Sequence, residues 1–141
     1  MFDIAFIRDQ PELDDEGQPI LWGRVDLGDY SERFTAPLGL WQRADYERHW
    51  LDAARRLLGE SDRTAFFTWA YGMWWTMWRE GNRVFVHEEL MVPERYSGPY
   101  DGVVPYHIIG DRVTDCEHEH PISEWEIALD DLRAFVERRA R

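Results

Sequence analysis

Residues 64–90, TAFFTWAYGMWWTMWREGNRVFVHEEL, decide the fold. They hold four of the eight Trp and three of the seven Phe in the chain. An apolar arm, Met73–Trp78, is followed by Gly81-Asn82 and then by Arg83–Val86. Two residues of this type between strand-like runs are a specific β-hairpin signal. A two-residue loop there sets Trp78 opposite Phe85, Met77 opposite Val86 and Thr76 opposite His87. One face then carries Met73, Trp75, Met77, Val84 and Val86, which is ordinary core chemistry. The other carries Trp74, Thr76, Trp78, Phe85 and His87, aromatic but partly polar. The preceding run, Thr64–Tyr71, is apolar on both faces, as expected of a strand in the middle of a sheet.

Upstream of this stretch, Asp3–Arg8 reads as a short strand, and residues 9–19 as an acidic surface loop with Pro and Gly. Ile20–Leu27, Gly28-Asp29 and Tyr30–Thr35 form a second hairpin pattern. Its register pairs Leu27 with Tyr30 and Gly23 with Phe34, an aromatic ring laid over a cross-strand glycine. A helix follows: Tyr46, Trp50, Ala53, Ala54, Leu57 and Leu58 fall on one side and Gly59 stops it. His49 is assigned to its wet side. Downstream, residues 93–105 carry turn chemistry, and Tyr106–Ile109 reads as a strand, with a short pairing around Arg112–Thr114. Ser123–Leu129 alternates as a strand with one wet face, and Asp130 is expected to cap a last helix whose inward residues are Leu132, Phe135 and Val136. The expectation is one α+β domain over residues 1–141. A mostly antiparallel sheet carries a long helix at about 43–58, and a short C-terminal helix spans about 130–139.

Charge narrows the function. The chain has 28 acidic against 16 basic residues, a net charge of −12. Such a surface repels nucleic acid and anionic membranes and draws basic partners from a distance. Every basic residue is Arg, so Schiff-base chemistry and a phosphate-loop lysine are excluded. No apolar run is long enough to span a bilayer, no signal peptide is evident, and the lone Cys116 fits a reducing cytoplasm.

Candidate sites are few. Cys116, His118 and His120 alternate as C-E-H-E-H and offer a weak metal motif. A closed zinc site normally joins ligands from two segments, so a charged surface loop is the better reading. His87 and His107 could make an acid/base pair or, with Trp74, Trp78 and Phe85, line an aromatic pocket for a small molecule or substrate. No catalytic motif supports an enzyme, and no cofactor is expected. Trp50, Trp75 and Trp125 read as core; some of Trp41, Trp69, Trp74 and Trp78 are expected to be partly exposed. Exposed rings beside acids make good anchors for a basic protein. The partner-binding candidates are therefore Asp14, Asp15, Glu16, Trp74, Trp78, His87, Glu88, Glu89, Asp115, Glu117 and Glu119.

The hairpin GRVDLGDYSERFTAPLGLW, followed by ADYERHW, resembles the front half of contact-dependent growth inhibition (CdiI-type) immunity proteins. Gly23, Gly28, Asp29, Glu32, Phe34, Pro37, Leu38 and Trp41 stand at the places of that pattern, as do Asp45, Tyr46 and Trp50. Trp74, Trp75, Gly81, Val84 and Ser123-Glu124-Trp125 extend the resemblance to roughly residues 20–135. The chain departs from the family at the first helix cap, where Gln42 or Arg43 replaces Ser or Asp, in the 93–105 stretch and around Cys116–Pro121. The resemblance implies a cytoplasmic antidote that binds the C-terminal domain of a cognate toxin, often a nuclease and expected to be basic, with no active site of its own.

Overall fold

A computed structural model of the chain describes residues 1–69, 73–90, 104–113 and 123–140. The fold is α+β, with two four-stranded antiparallel sheets and two helices. In the first sheet β3 (Pro19–Leu27) pairs on one side with β1 (Phe2–Phe6) and the two-residue β2 (Glu12–Leu13), and on the other with β4 (Tyr30–Pro37). Leu27 faces Tyr30 across the turn and Gly23 faces Phe34, as the Gly28-Asp29 loop predicts. Gly28 takes φ +64°, which a two-residue hairpin loop of this kind requires. A Cβ on Gly23 would lie 2.4 Å from the Phe34 ring, so only glycine admits that cover.

The second sheet runs β5 (Arg63–Trp69), β6 (Met73–Glu80), β7 (Arg83–Leu90), β8 (Trp125–Ala128). The three cross-strand pairs expected around Gly81-Asn82 are all present. Two expectations change. β5 is an edge strand, where the reading from sequence put it in mid-sheet, and Tyr106–Ile108 is a 3-10 turn where a strand was expected. No strand is assigned over Arg112 and Val113, and Thr114 lies outside the described residues.

β5 is apolar on both faces because helix α1 (Arg43–Leu58) lies along it and occupies its open edge. The Trp50 indole Nε1–H donates to the Phe67 carbonyl at 2.7 Å, and the Phe67 N–H donates to His49 Nε2 at 2.8 Å. Side chains of α1 thus complete the hydrogen bonding that a further strand would otherwise supply. His49 is therefore buried, a correction to its assignment to the wet face. Trp50 also touches Phe6 and Phe34, with ring centroids 4.9 and 5.9 Å away, and so ties the helix to the first sheet.

Helix α1 begins at Gln42, whose N–H donates to the Asp45 carboxylate at 2.9 Å, and the Gln42 amide donates to the Leu38 carbonyl at 2.7 Å. Asp45 therefore does from within the first turn part of what a capping Ser or Asp would do. Helix α2 (Leu129–Arg139) grows directly out of β8. Its capping carboxylate is Asp131, which accepts the Ala128 N–H at 2.9 Å; Asp130, expected as the cap, instead pairs with Arg133 in the first turn. Leu132 and Phe135 are buried, and Phe135 meets Phe2, which meets Phe66 across the two sheets.

Candidate functional site

Three places bring together side chains with chemistry. The first is the outer face of the central hairpin. Trp74, Trp78, Phe85 and His87 are buried there, at 2, 5, 5 and 3% exposure, so the two indoles are not the partly exposed anchors expected from sequence. Residues 106–112 cross this face as a strap. Arg63 donates to the Ile109 and Gly110 carbonyls at 3.2 and 2.9 Å, and Trp78 Nε1–H to the Gly110 carbonyl at 2.9 Å. The Arg112 guanidinium lies 3.5 Å from the Phe85 ring centre and donates two 2.7 Å bonds to Glu124. The other partner of Glu124 is His87 Nε2, at 2.8 Å. Held chiefly by Arg112, and also by His87 despite partial burial, the Glu124 carboxyl falls to about 2.

This arrangement is a closed ion-pair network and not a receptive pocket. His107 is exposed on the 3-10 turn, away from the buried strand position of His87, so the two do not form the pair considered from sequence. Cavities of 540 and 380 Å³ elsewhere on the molecule are lined by none of Trp74, Trp78, Phe85 and His87.

The second place is a 540 Å³ cavity beside α1, lined by Trp41, Asp45, Arg48, His49, Arg56 and Tyr106 among others. His49 is the histidine on its lining, alongside Asp45, Asp52 and Tyr106. Because Nε2 accepts the Phe67 amide, a neutral ring carries its proton on Nδ1, 3.3 Å from the Tyr106 hydroxyl. Burial drives the His49 pKa down to about 3 and pushes that of Tyr106 up. Arg48 is paired with Asp45 at 2.8 Å, and the Arg56 guanidinium stacks 4.0 Å from the Tyr106 ring centre. Charges of both signs line this hollow, and its histidine is kept neutral by burial, with Nε2 already taken by the Phe67 amide.

The third place is where the sheets meet. A β-bulge shifts the β5–β6 register between Phe67 and Trp69, and Trp69 is 41% exposed, more than any other Trp among the described residues. A 380 Å³ cleft there is lined by Asp14, Glu32, Arg33, Phe34, Trp69 and Glu88 among others. Trp69, Asp14 and Pro37 also line an adjoining 190 Å³ hollow, which Glu16 borders. Asp14 organises the turn below: its Oδ1 accepts the Glu16 and Gln18 N–H groups at 2.9 and 2.8 Å. Glu88, though exposed, has its pKa raised to about 7, first by loss of water around it and then by the hydrogen bond and charge of Glu32. Three of the acidic candidates, Asp14, Glu16 and Glu88, thus border one surface. Trp69, one of the indoles expected to be partly exposed, belongs with them, as does Glu32, which the sequence did not single out as a contact. Asp15 is exposed on the same turn, and Glu89 is half-buried, with its carboxylate 3.7 Å from His87 Nδ1.

Asp115, Cys116, Glu117, His118, Glu119 and His120 lie outside the described residues, as does most of 93–105. Among the described residues no group of three His, Cys, Asp or Glu converges as a metal site, and no helix is long and apolar enough to cross a membrane.

Comparison with known proteins joins this geometry to the sequence pattern. The family model of the CdiI N-terminal domain matches residues 36–135, more than half of the chain. The chain belongs to the CdiI N-terminal domain family. The fold is similar to that of a chain in the CdiA-CT/CdiI toxin and immunity complex from Enterobacter cloacae, with a TM-score of 0.86 at 23% identity over 99% of both chains. No curated protein matches the chain significantly.

Proposed function

We propose that this protein is a cytoplasmic immunity protein that binds and neutralises the CdiA-CT type toxin domain encoded with it, acting by occupancy and not by turnover. Membership of the CdiI family over residues 36–135 is the observation that carries the reading. The fold likeness, extending over the whole chain, agrees with it. The closed network around His87 and the neutral, bonded His49 also agree, since they leave the described histidines in structural roles apart from exposed His107.

The net charge of −12 suits a cationic toxin, and a nuclease, which must itself bind a polyanion, is the class that fits. The exterior carboxylates Asp14, Asp15, Glu16, Glu88 and Glu89 belong to the partner-facing surface in this reading, with Asp115, Glu117 and Glu119 as further candidates. Trp74, Trp78 and His87 support that surface from inside. Residues 1–141 act as one domain, without cofactor.

Co-expression with the toxic C-terminal domain encoded just upstream tests the reading. Growth should be rescued and the two chains should co-purify as a heterodimer whose association slows steeply with added salt. Failure to bind or protect against any neighbouring toxin would overturn it.

A further inference from the structure

Glu32 of β4 and Glu88 of β7 both line the cleft between the sheets, close enough that Glu32 helps to raise the Glu88 pKa. Two carboxyl groups so placed repel when both are ionised, which favours a proton on one of them. The groups facing the pair from the surrounding elements are few. Tyr30 donates its hydroxyl to Glu32 Oε1 at 3.2 Å, Asp14 approaches from the turn below, and Arg33 stands on the lining. Among the described residues no arginine forms an ion pair with Glu88, and Arg33 is the one basic residue on the cleft lining. Beside them the exposed Trp69 ring forms a wall shared with the adjoining hollow, and Ile20, Phe34 and Met73 supply apolar lining.

We propose that this cleft seats one cationic side chain, an arginine or lysine of the toxin domain, with its charged head between Glu32 and Glu88 and its stem along Trp69. The proposal rests on the immunity reading and names where that partner is held. Charge selects the occupant: Asp14, Glu32 and Glu88 outnumber Arg33, and an anion or an apolar segment would strip water from carboxylates without compensating them. A guanidinium offers two carboxylates the paired donors they lack, and its stem covers an indole face.

A proton-linked signature follows. In the free protein Glu88 is half-protonated near pH 7, so seating a cation there should expel about half a proton per complex at that pH. Affinity should therefore rise between about pH 6 and pH 8 as the competing proton leaves.

The test is calorimetric titration of the full chain with the toxin domain encoded beside its gene, at pH 7, in two buffers of different ionisation enthalpy. The wild type should release about half a proton, and Glu88→Gln should abolish that release. Glu88→Gln and Trp69→Ala should each weaken binding about tenfold or more, while Glu60→Gln, an exposed acid remote from the cleft, should leave it nearly unchanged. Melting curves of the free variants check that folding is intact. Wild-type binding that both cleft variants reproduce, with the same proton count, would overturn the cleft proposal and leave the immunity reading standing. No binding by the wild type would remove both.

Discussion

The outer face of the central hairpin and the cleft beside Trp69 are built from the same materials, indoles next to carboxylates, yet they end in opposite states. On the hairpin face Glu124 is gripped by Arg112 and His87, and the Trp78 N–H donates to the Gly110 carbonyl. In the cleft, Glu32 and Glu88 stand together with a Tyr30 hydroxyl on Glu32, and Trp69 stays 41% exposed. Aromatic and acidic composition alone therefore does not mark a binding surface. What separates the two regions is whether a second piece of the same chain has already supplied the cation.

The sharpest way to break this contrast is the same substitution in both regions. Trp78→Ala should cost about 3–5 kcal/mol in urea unfolding, through lost burial and the lost bond to the Gly110 carbonyl, whereas Trp69→Ala, at a side chain 41% exposed, should cost only about 1–2 kcal/mol. Equal losses would mean that the cleft is as structural as the strap. Next in size, His49→Leu should cost about 1–3 kcal/mol, because it leaves the buried Phe67 N–H without an acceptor. Hydrogen exchange should locate the loosening at β5. A similar loss of about 1–3 kcal/mol is expected for Gly23→Ala, whose Cβ must displace the Phe34 ring; its effect belongs to the first sheet and should leave the Phe67 amide protected.

The smallest effects are those of pH, and they run in opposite directions: acid weakens the hairpin face and the packing of α1, alkali the cleft. Glu124 and His49 both have folded pKa values below their ordinary ones, about 2 against 4.5 and about 3 against 6.5. Each then contributes stability fully present above its ordinary value and lost as pH falls toward the folded one. Glu88 is raised from 4.5 to about 7, so its contribution is present below 4.5 and lost as pH rises through 7. Chemical melts from pH 4 to pH 8 should therefore show Glu88→Gln gaining relative to wild type at the alkaline end, and His49→Leu losing less at the acid end.

Much of the fold was legible because two-residue turns fix register locally. Gly81-Asn82 and Gly28-Asp29 each determine a whole ladder, and the Tyr46–Leu58 stripe determines α1. What was not legible depends on docking between distant segments. The apolar run of β5 looked like mid-sheet because sequence shows two dry faces and not the helix that completes its edge. His49 stands three residues after Tyr46 and four before Ala53, a spacing that placed it beside the buried stripe, but its charge type argued for water. The site was harder still. Asp14, Glu16 and Glu88 were legible as acids, but their convergence with Glu32 and Trp69 arises only where one sheet meets the other, across a bulge that no local signal announced.

The central claim is action by occupancy, and a stoichiometric titration tests it most directly. Toxin-domain activity should fall linearly as this protein is added and reach zero at one equivalent. Complete loss at a small fraction of an equivalent would show turnover, and undiminished activity at excess would show that the toxin is not its target.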